Sequence, residues 1–125
     1  MKRVLIIDDD TDTCEMLELL LIGEGYNAQA ISDRSKAIEK VITFSPHVVI
    51  CDYYMNGISF ETFREQLRTI RREIRIVLLT GSPKGISYAQ INGICCLKKP
   101  LDLDHLKSVI DGVLESGEHV SIGDA

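Results

Sequence analysis

The chain has 125 residues, enough for one domain with a full core and too few for a second of similar size. Its 19 acidic residues outnumber 14 basic ones, and the formal net charge of -5 argues against a nucleic-acid surface. No apolar run approaches the ~20 residues that span a bilayer, and the run before Asp8 is too short for a signal-peptide core, so a cytoplasmic location is expected.

Apolar runs alternate with helical patterns from the start. Residues 4–7 form a continuous apolar run, as expected of a strand buried on both faces. Residues 14–22 carry apolar side chains at helical spacing, and Gly23 and Gly25 stop them. Residues 27–31 alternate between apolar and polar and read as an edge strand. Ser32 or Asp33 can cap the next helix, whose inner face is Ala37, Ile38, Val41 and Ile42, and Pro46 ends that segment. Residues 48–51 are a second buried strand.

A helix over residues 60–70 comes next, with Phe60, Phe63, Leu67 and Ile70 on one side. The basic cluster between Arg64 and Arg75 alternates with apolar residues and reads as a solvated helix face. Residues 74–79 form a buried strand closed by Thr80-Gly81-Ser82-Pro83. A short helix is expected over residues 86–91, and a last strand over 94–97. Lys99-Pro100 ends that strand, and Leu103, Leu106, Val109, Ile110 and Val113 mark a final amphipathic helix. Residues 1–116 are expected to form one domain, and residues 117–125 a flexible tail. Cys14, Cys51, Cys95 and Cys96 include no C-x-x-C pair, and Cys51, Cys95 and Cys96 lie in apolar runs, where cysteine acts as a small hydrophobe.

Five β-α units imply a parallel sheet covered by helices on both faces. In such a sheet the carboxyl ends of the strands share one edge, where open α/β sheets bind ligands. Asp8, Asp9 and Asp10 follow the first strand, Asp52 the third, Thr80 the fourth, and Lys98 and Lys99 the fifth. Two or three carboxylates, a hydroxyl and an ammonium are therefore expected in one pocket. Crowded carboxylates repel and call for a cation, and an all-oxygen donor set suits Mg2+. A carboxylate can also attack phosphorus to form an aspartyl phosphate, with Mg2+ and lysine neutralising the transferred group. Asp10 and Asp12 are better read as acids at a helix start. For Asp52 the competing reading is a turn former.

At these residues the sequence resembles the receiver domains of bacterial two-component response regulators, from Lys2 to about Glu115. The resemblance rests on Val4-Leu5-Ile6-Ile7-Asp8-Asp9-Asp10, Asp52-Tyr53-Tyr54-Met55, Val77-Leu78-Leu79-Thr80-Gly81 and Leu97-Lys98-Lys99-Pro100-Leu101. It implies a doubly wound, flavodoxin-like α/β fold with strand order 2-1-3-4-5. It implies Asp52 as the phospho-acceptor. Asp9 would ligate Mg2+ directly, with Asp8 close by or acting through water and the Tyr54 carbonyl as a further ligand. Thr80 and Lys99 would contact the phosphoryl group, leaving Lys98 solvated, and the Lys99-Pro100 bond would be cis. The phosphoryl donor would be a sensor histidine kinase or a histidine phosphotransfer protein. The domain would catalyse only its own phosphorylation and dephosphorylation, and would switch binding to an output partner or domain. Tyr54 and Ser82 lie where attacking water would approach, and Tyr54 is expected to shield the phosphoryl group.

Several positions depart from the family pattern. Asn56 stands for the usual Pro, Ser59 or Phe60 for a Gly, and Cys96 for the aromatic switch residue. The segment between Thr80 and Lys99 is short, which predicts a stunted fourth helix. Three other readings compete. A haloacid-dehalogenase-like phosphatase would use Asp8 as nucleophile and Asp10 as acid/base, but its motif fails at Asp12 and leaves Asp52 idle. A flavodoxin-like binding protein would need a Ser/Thr/Gly loop where this chain is acidic. A degenerate receiver serving only as a binding module is opposed by the complete set Asp9, Asp52, Thr80 and Lys99.

Overall fold

The computed structural model describes residues 1–54 and 57–116. Met55 and Asn56, and the tail expected over residues 117–125, lie outside the described residues. In chain order the elements are β1 (Arg3–Ile7), α1 (Thr11–Gly23), β2 (Asn27–Ile31), a 3-10 turn (Arg34–Lys36), α2 (Ala37–Phe44), β3 (Val48–Asp52) and α3 (Phe60–Ile70). They continue with β4 (Arg75–Thr80), α4 (Pro83–Asn92), β5 (Cys95–Lys98) and α5 (Leu103–Ser116). The strands form one parallel sheet in the expected order, β2-β1-β3-β4-β5.

Strand period two sends alternate residues to opposite faces. Leu5, Ile7, Val49, Cys51 and Leu78 pack beneath Ala37, Val41, Phe63, Leu67 and Ala89, so α2, α3 and α4 cover one face. Val4, Ile6, Ile50, Val77 and Leu79 pack beneath Leu17, Leu21, Leu106 and Ile110, so α1 and α5 cover the other. Continuous apolar runs in β1 and β3 are thus explained by burial on both sides, whereas β2 sits at the edge and is half-exposed. Cys95 and Cys96 point to opposite faces, and all four cysteines are buried.

The fourth helix corrects the reading of residues 86–91. It runs ten residues, from Pro83 to Asn92. Ser82 Oγ accepts from Gly85 N at 3.0 Å, Pro83 occupies the first turn, and Gly93 closes the helix at φ 66°. Ser-Pro is thus a helix start as well as a strand closure. The first helix also begins earlier than residue 14, because Asp10 caps it. Asp33 caps the 3-10 turn that leads into α2.

Candidate functional site

The sheet register delivers the polar residues to one edge. Ile7 pairs with Cys51, Asp52 with Leu79, and Thr80 with Lys98, so the ends of β1, β3, β4 and β5 are level. Lys99 follows β5 and is tied down by its N–H, which donates to the Thr80 carbonyl at 3.0 Å. The Lys99-Pro100 bond is cis, as expected. The Lys99 ammonium reaches back into the edge and lies 3.0 Å from Asp8 Oδ2 and 3.2 Å from Asp52 Oδ2. Lys98 points to solvent.

Asp8 is 1% exposed, and its Oδ1 accepts from Asp10 N at 2.9 Å. Asp52 Oδ1 accepts from Tyr54 N at 3.2 Å. Burial pushes the Asp52 carboxyl above its ordinary pKa. The Lys99 charge pulls it down and the Asp8 charge pushes it up, and the net shift is upward. Burial works to lower the Lys99 pKa, but its contacts and charge attraction with Asp8 and Asp52 outweigh this and raise it. Asp9 pairs with Arg34, whose guanidinium lies 3.2 Å from Asp9 Oδ1. Asp10 instead caps α1, accepting from Asp12 N and Thr13 Oγ1, so it is engaged as a helix-start acid.

Thr80 is 1% exposed. Its Oγ1 accepts from Ser82 N at 3.1 Å, which leaves the hydroxyl proton for another acceptor. The first turn of α4 rests directly on it. A Cβ placed on Gly85 would lie 2.7 Å from Thr80 Oγ1 and 2.9 Å from Thr80 Cγ2, so only glycine fits there. Beside Asp52, the Tyr53 ring is buried against Phe60 and Tyr88, while Tyr54 is 55% exposed and meets Tyr53 edge-on at 5.1 Å.

Three carboxylates therefore face two cations at a partly buried edge, and the raised Asp52 pKa records the burial and the excess negative charge. Among the described residues no three-member cluster of His, Cys, Asp and Glu is arranged around a metal position. The donor set itself fits a hard divalent ion. It is all oxygen, and Asp8 and Asp52 already converge on a single positive charge.

Sequence reading placed Asp8, Asp9, Asp52, Thr80 and Lys99 at this edge, but it missed Arg34. That residue carried no individual reading in the sequence. The available signal was the strand order, because the turn after β2 must lie beside the acids after β1.

The pattern of the response regulator receiver domain family matches residues 4–111. The transcriptional regulatory protein ZraR of Escherichia coli O157:H7 is 26% identical over 125 residues, covering 98% of this chain and 28% of that protein. The DNA-binding response regulator MtrA of Mycolicibacterium smegmatis is 36% identical over 85 residues, covering 64% of this chain and 35% of that protein. The chain thus spans about a third or less of these relatives' length. A response regulator receiver domain protein from Clostridium thermocellum has the same fold, with a TM-score of 0.83, 20% identity, and coverage of 93% of this chain and 96% of that one. A matching sheet order, a matched span of residues 4–111, and acids and lysine meeting at the carboxyl edge lead to one assignment: the chain belongs to the response regulator receiver domain family, the phospho-acceptor modules of two-component signalling.

Proposed function

We propose that Asp52 accepts a phosphoryl group from a phosphohistidine on a sensor histidine kinase or a histidine phosphotransfer protein, with Mg2+ required. The observation that carries this reading is the shared ammonium. Lys99 Nζ sits within 3.2 Å of both Asp52 and Asp8, so a carboxylate in position to attack is already beside a charge that can follow the transferred oxygens. An Asp52 oxygen forms the new O–P bond as the donor's N–P bond breaks, and the imidazole leaves with the electron pair. Lys99 stabilises charge on a phosphoryl oxygen, and Thr80 donates its hydroxyl proton to another. Asp9, Asp52 and the Tyr54 carbonyl would hold Mg2+, with Asp8 beside it or acting through water. Bound there, the ion would neutralise charge on the phosphoryl oxygens.

Hydrolysis of the aspartyl phosphate reverses the state without a separate enzyme. Tyr54, half-exposed and beside Asp52, shields the phosphorus from water. Tyr54→Asn is expected to speed loss of the phosphoryl group several-fold, followed by mass spectrometry over time; unchanged or slower loss counts against shielding. The phosphorylated domain would act by docking to an output partner or domain. No described helix is long and apolar enough to cross a membrane, and we place the domain in the cytoplasm beside its kinase.

The test is incubation with acetyl phosphate and Mg2+, read by intact mass. One phosphoryl mass is expected on the native chain, and none with Asp52→Asn or with EDTA. Equal labelling of Asp52→Asn would overturn the assignment.

A further inference from the structure

The residue the family reading does not account for is Arg34. Its side chain is 5% exposed, yet it carries a permanent charge, and it lies 3.2 Å from Asp9 Oδ1. Buried guanidinium groups are costly without a carboxylate partner, so this placement has a specific cause.

The cause is local and topological. β2 pairs with β1 through Ile31 and Ile7, and Asp8 N donates to the Ile31 carbonyl at 3.3 Å. The turn after β2 is thus pinned beside the acids after β1. Asp33 fixes that turn, because its Oδ1 accepts from Ser35 N at 3.0 Å and from Ser35 Oγ at 2.7 Å. Arg34 then has little choice but to send its side chain inward along the sheet edge.

We infer that Arg34 is a resident counterion of Asp9 that Mg2+ must displace, so that Arg34 sets the metal affinity of this site. The inference rests on the reading of Asp9 as a metal ligand under Proposed function. Asp9 cannot give the same oxygen fully to a guanidinium and to a hard divalent ion. Metal entry at Asp9 competes with a charge-assisted hydrogen bond for the negative charge of one carboxylate, and a second positive charge remains close by. Without metal, Arg34 does the opposite service and relieves repulsion among Asp8, Asp9 and Asp52. The arrangement makes the site stable when empty of metal and raises the Mg2+ concentration at which it becomes competent.

The test is Mg2+ titration by isothermal calorimetry on the native chain, Arg34→Gln, Arg34→Lys and Asp9→Asn/Arg34→Gln. Arg34→Gln is expected to bind Mg2+ about tenfold more tightly, the size of one charge-assisted hydrogen bond lost as a competitor. Arg34→Lys keeps the charge and is expected to stay within about twofold of the native affinity. The double variant is expected to lose the gain, because the carboxylate that Arg34 masks is gone. Equal or weaker binding by Arg34→Gln overturns the inference while leaving the phospho-acceptor reading intact, provided the native chain binds Mg2+. Absence of Mg2+ binding in every form overturns both. A second readout needs no variant. In the native chain the Arg34 side-chain Nε resonance is expected to shift with the same midpoint as metal binding, and a resonance that ignores Mg2+ contradicts displacement.

Discussion

The two edges of the sheet carry charge in opposite ways. At the carboxyl edge, Asp8, Asp9 and Asp52 meet Lys99 and Arg34 in direct ion pairs, three of these five side chains being largely buried. At the amino edge, a cleft of about 320 Å³ gathers Lys2, Arg3, His47, Arg71 and Arg75, with Glu73 the one acid in its lining. Its arginines do not pair with carboxylates among the described residues. Arg3 Nε donates to the Ser45 carbonyl at 2.8 Å, Arg71 to Ser45 Oγ, and Arg75 to the Glu73 carbonyl. Number of charges does not distinguish the two edges. What distinguishes the carboxyl edge is opposite charges held in contact among partly buried side chains, as at Lys99, while the amino-edge arginines bond to uncharged oxygens of Ser45 and Glu73.

The largest effect on this contrast comes from removing one cation at each edge. Lys99→Met leaves the 1%-exposed Asp8 and the Asp52 carboxylate facing each other without their shared ammonium. A wholly buried pair broken in this way costs about 3–5 kcal/mol. Lys99 is about a third exposed, so roughly 1–3 kcal/mol is expected in urea unfolding without metal. Arg75→Met at the amino edge is expected to cost under about 1 kcal/mol, because it gives up a bond to one carbonyl. Equal losses would erase the distinction between the edges.

A smaller effect sharpens the link from the acidic edge to α4. Gly85→Ala would place a methyl group within 3.0 Å of two Thr80 atoms and is expected to cost about 1–3 kcal/mol. Adding Thr80→Ala removes both of those atoms and is expected to recover much of the loss. Simple additivity of the two substitutions in urea unfolding would show that α4 does not rest on Thr80 in solution.

The smallest effect belongs to the amino edge. Burial first, then Arg3, Lys2, the amino terminus and Arg71, hold the His47 pKa below 6.5. Between the lowered value and 6.5 the unfolded chain binds more protons than the folded one. Stability from this group is therefore present above 6.5 and lost as pH falls through that window. Protonation would also compete for His47 Nδ1, which accepts from Arg3 N at 2.9 Å. His47→Gln is expected to flatten the slope of unfolding free energy against pH in this range, and an unchanged slope would assign it to other groups.

Much of this organisation was legible before any coordinates. Asp8, Asp9, Asp52, Thr80 and Lys99 each stand at the end of an apolar run, and parallel strands put all such ends together. The edge position of β2 showed in its alternation, and the limits of β2 and α3 came from the pattern alone. Other features depended on what the pattern does not encode. Pro83 was read as a stop because proline ends strands, and it also begins α4. Arg34 gave no sequence signal because its burial depends on β2 lying next to β1, and its contact with Asp9 joins residues 25 apart in the chain. The close seat of α4 on Thr80 depends on the missing side chain of Gly85, which gives no hydrophobic signal.

The central claim is that Asp52, rather than any other acid of this edge, carries the phosphoryl group. It is tested most directly by labelling the native chain with acetyl phosphate and Mg2+, reducing the acyl phosphate with borohydride, and sequencing the peptides by mass spectrometry. The account predicts homoserine at position 52 alone. Homoserine at position 8, as a phosphatase-type nucleophile would give, would contradict it.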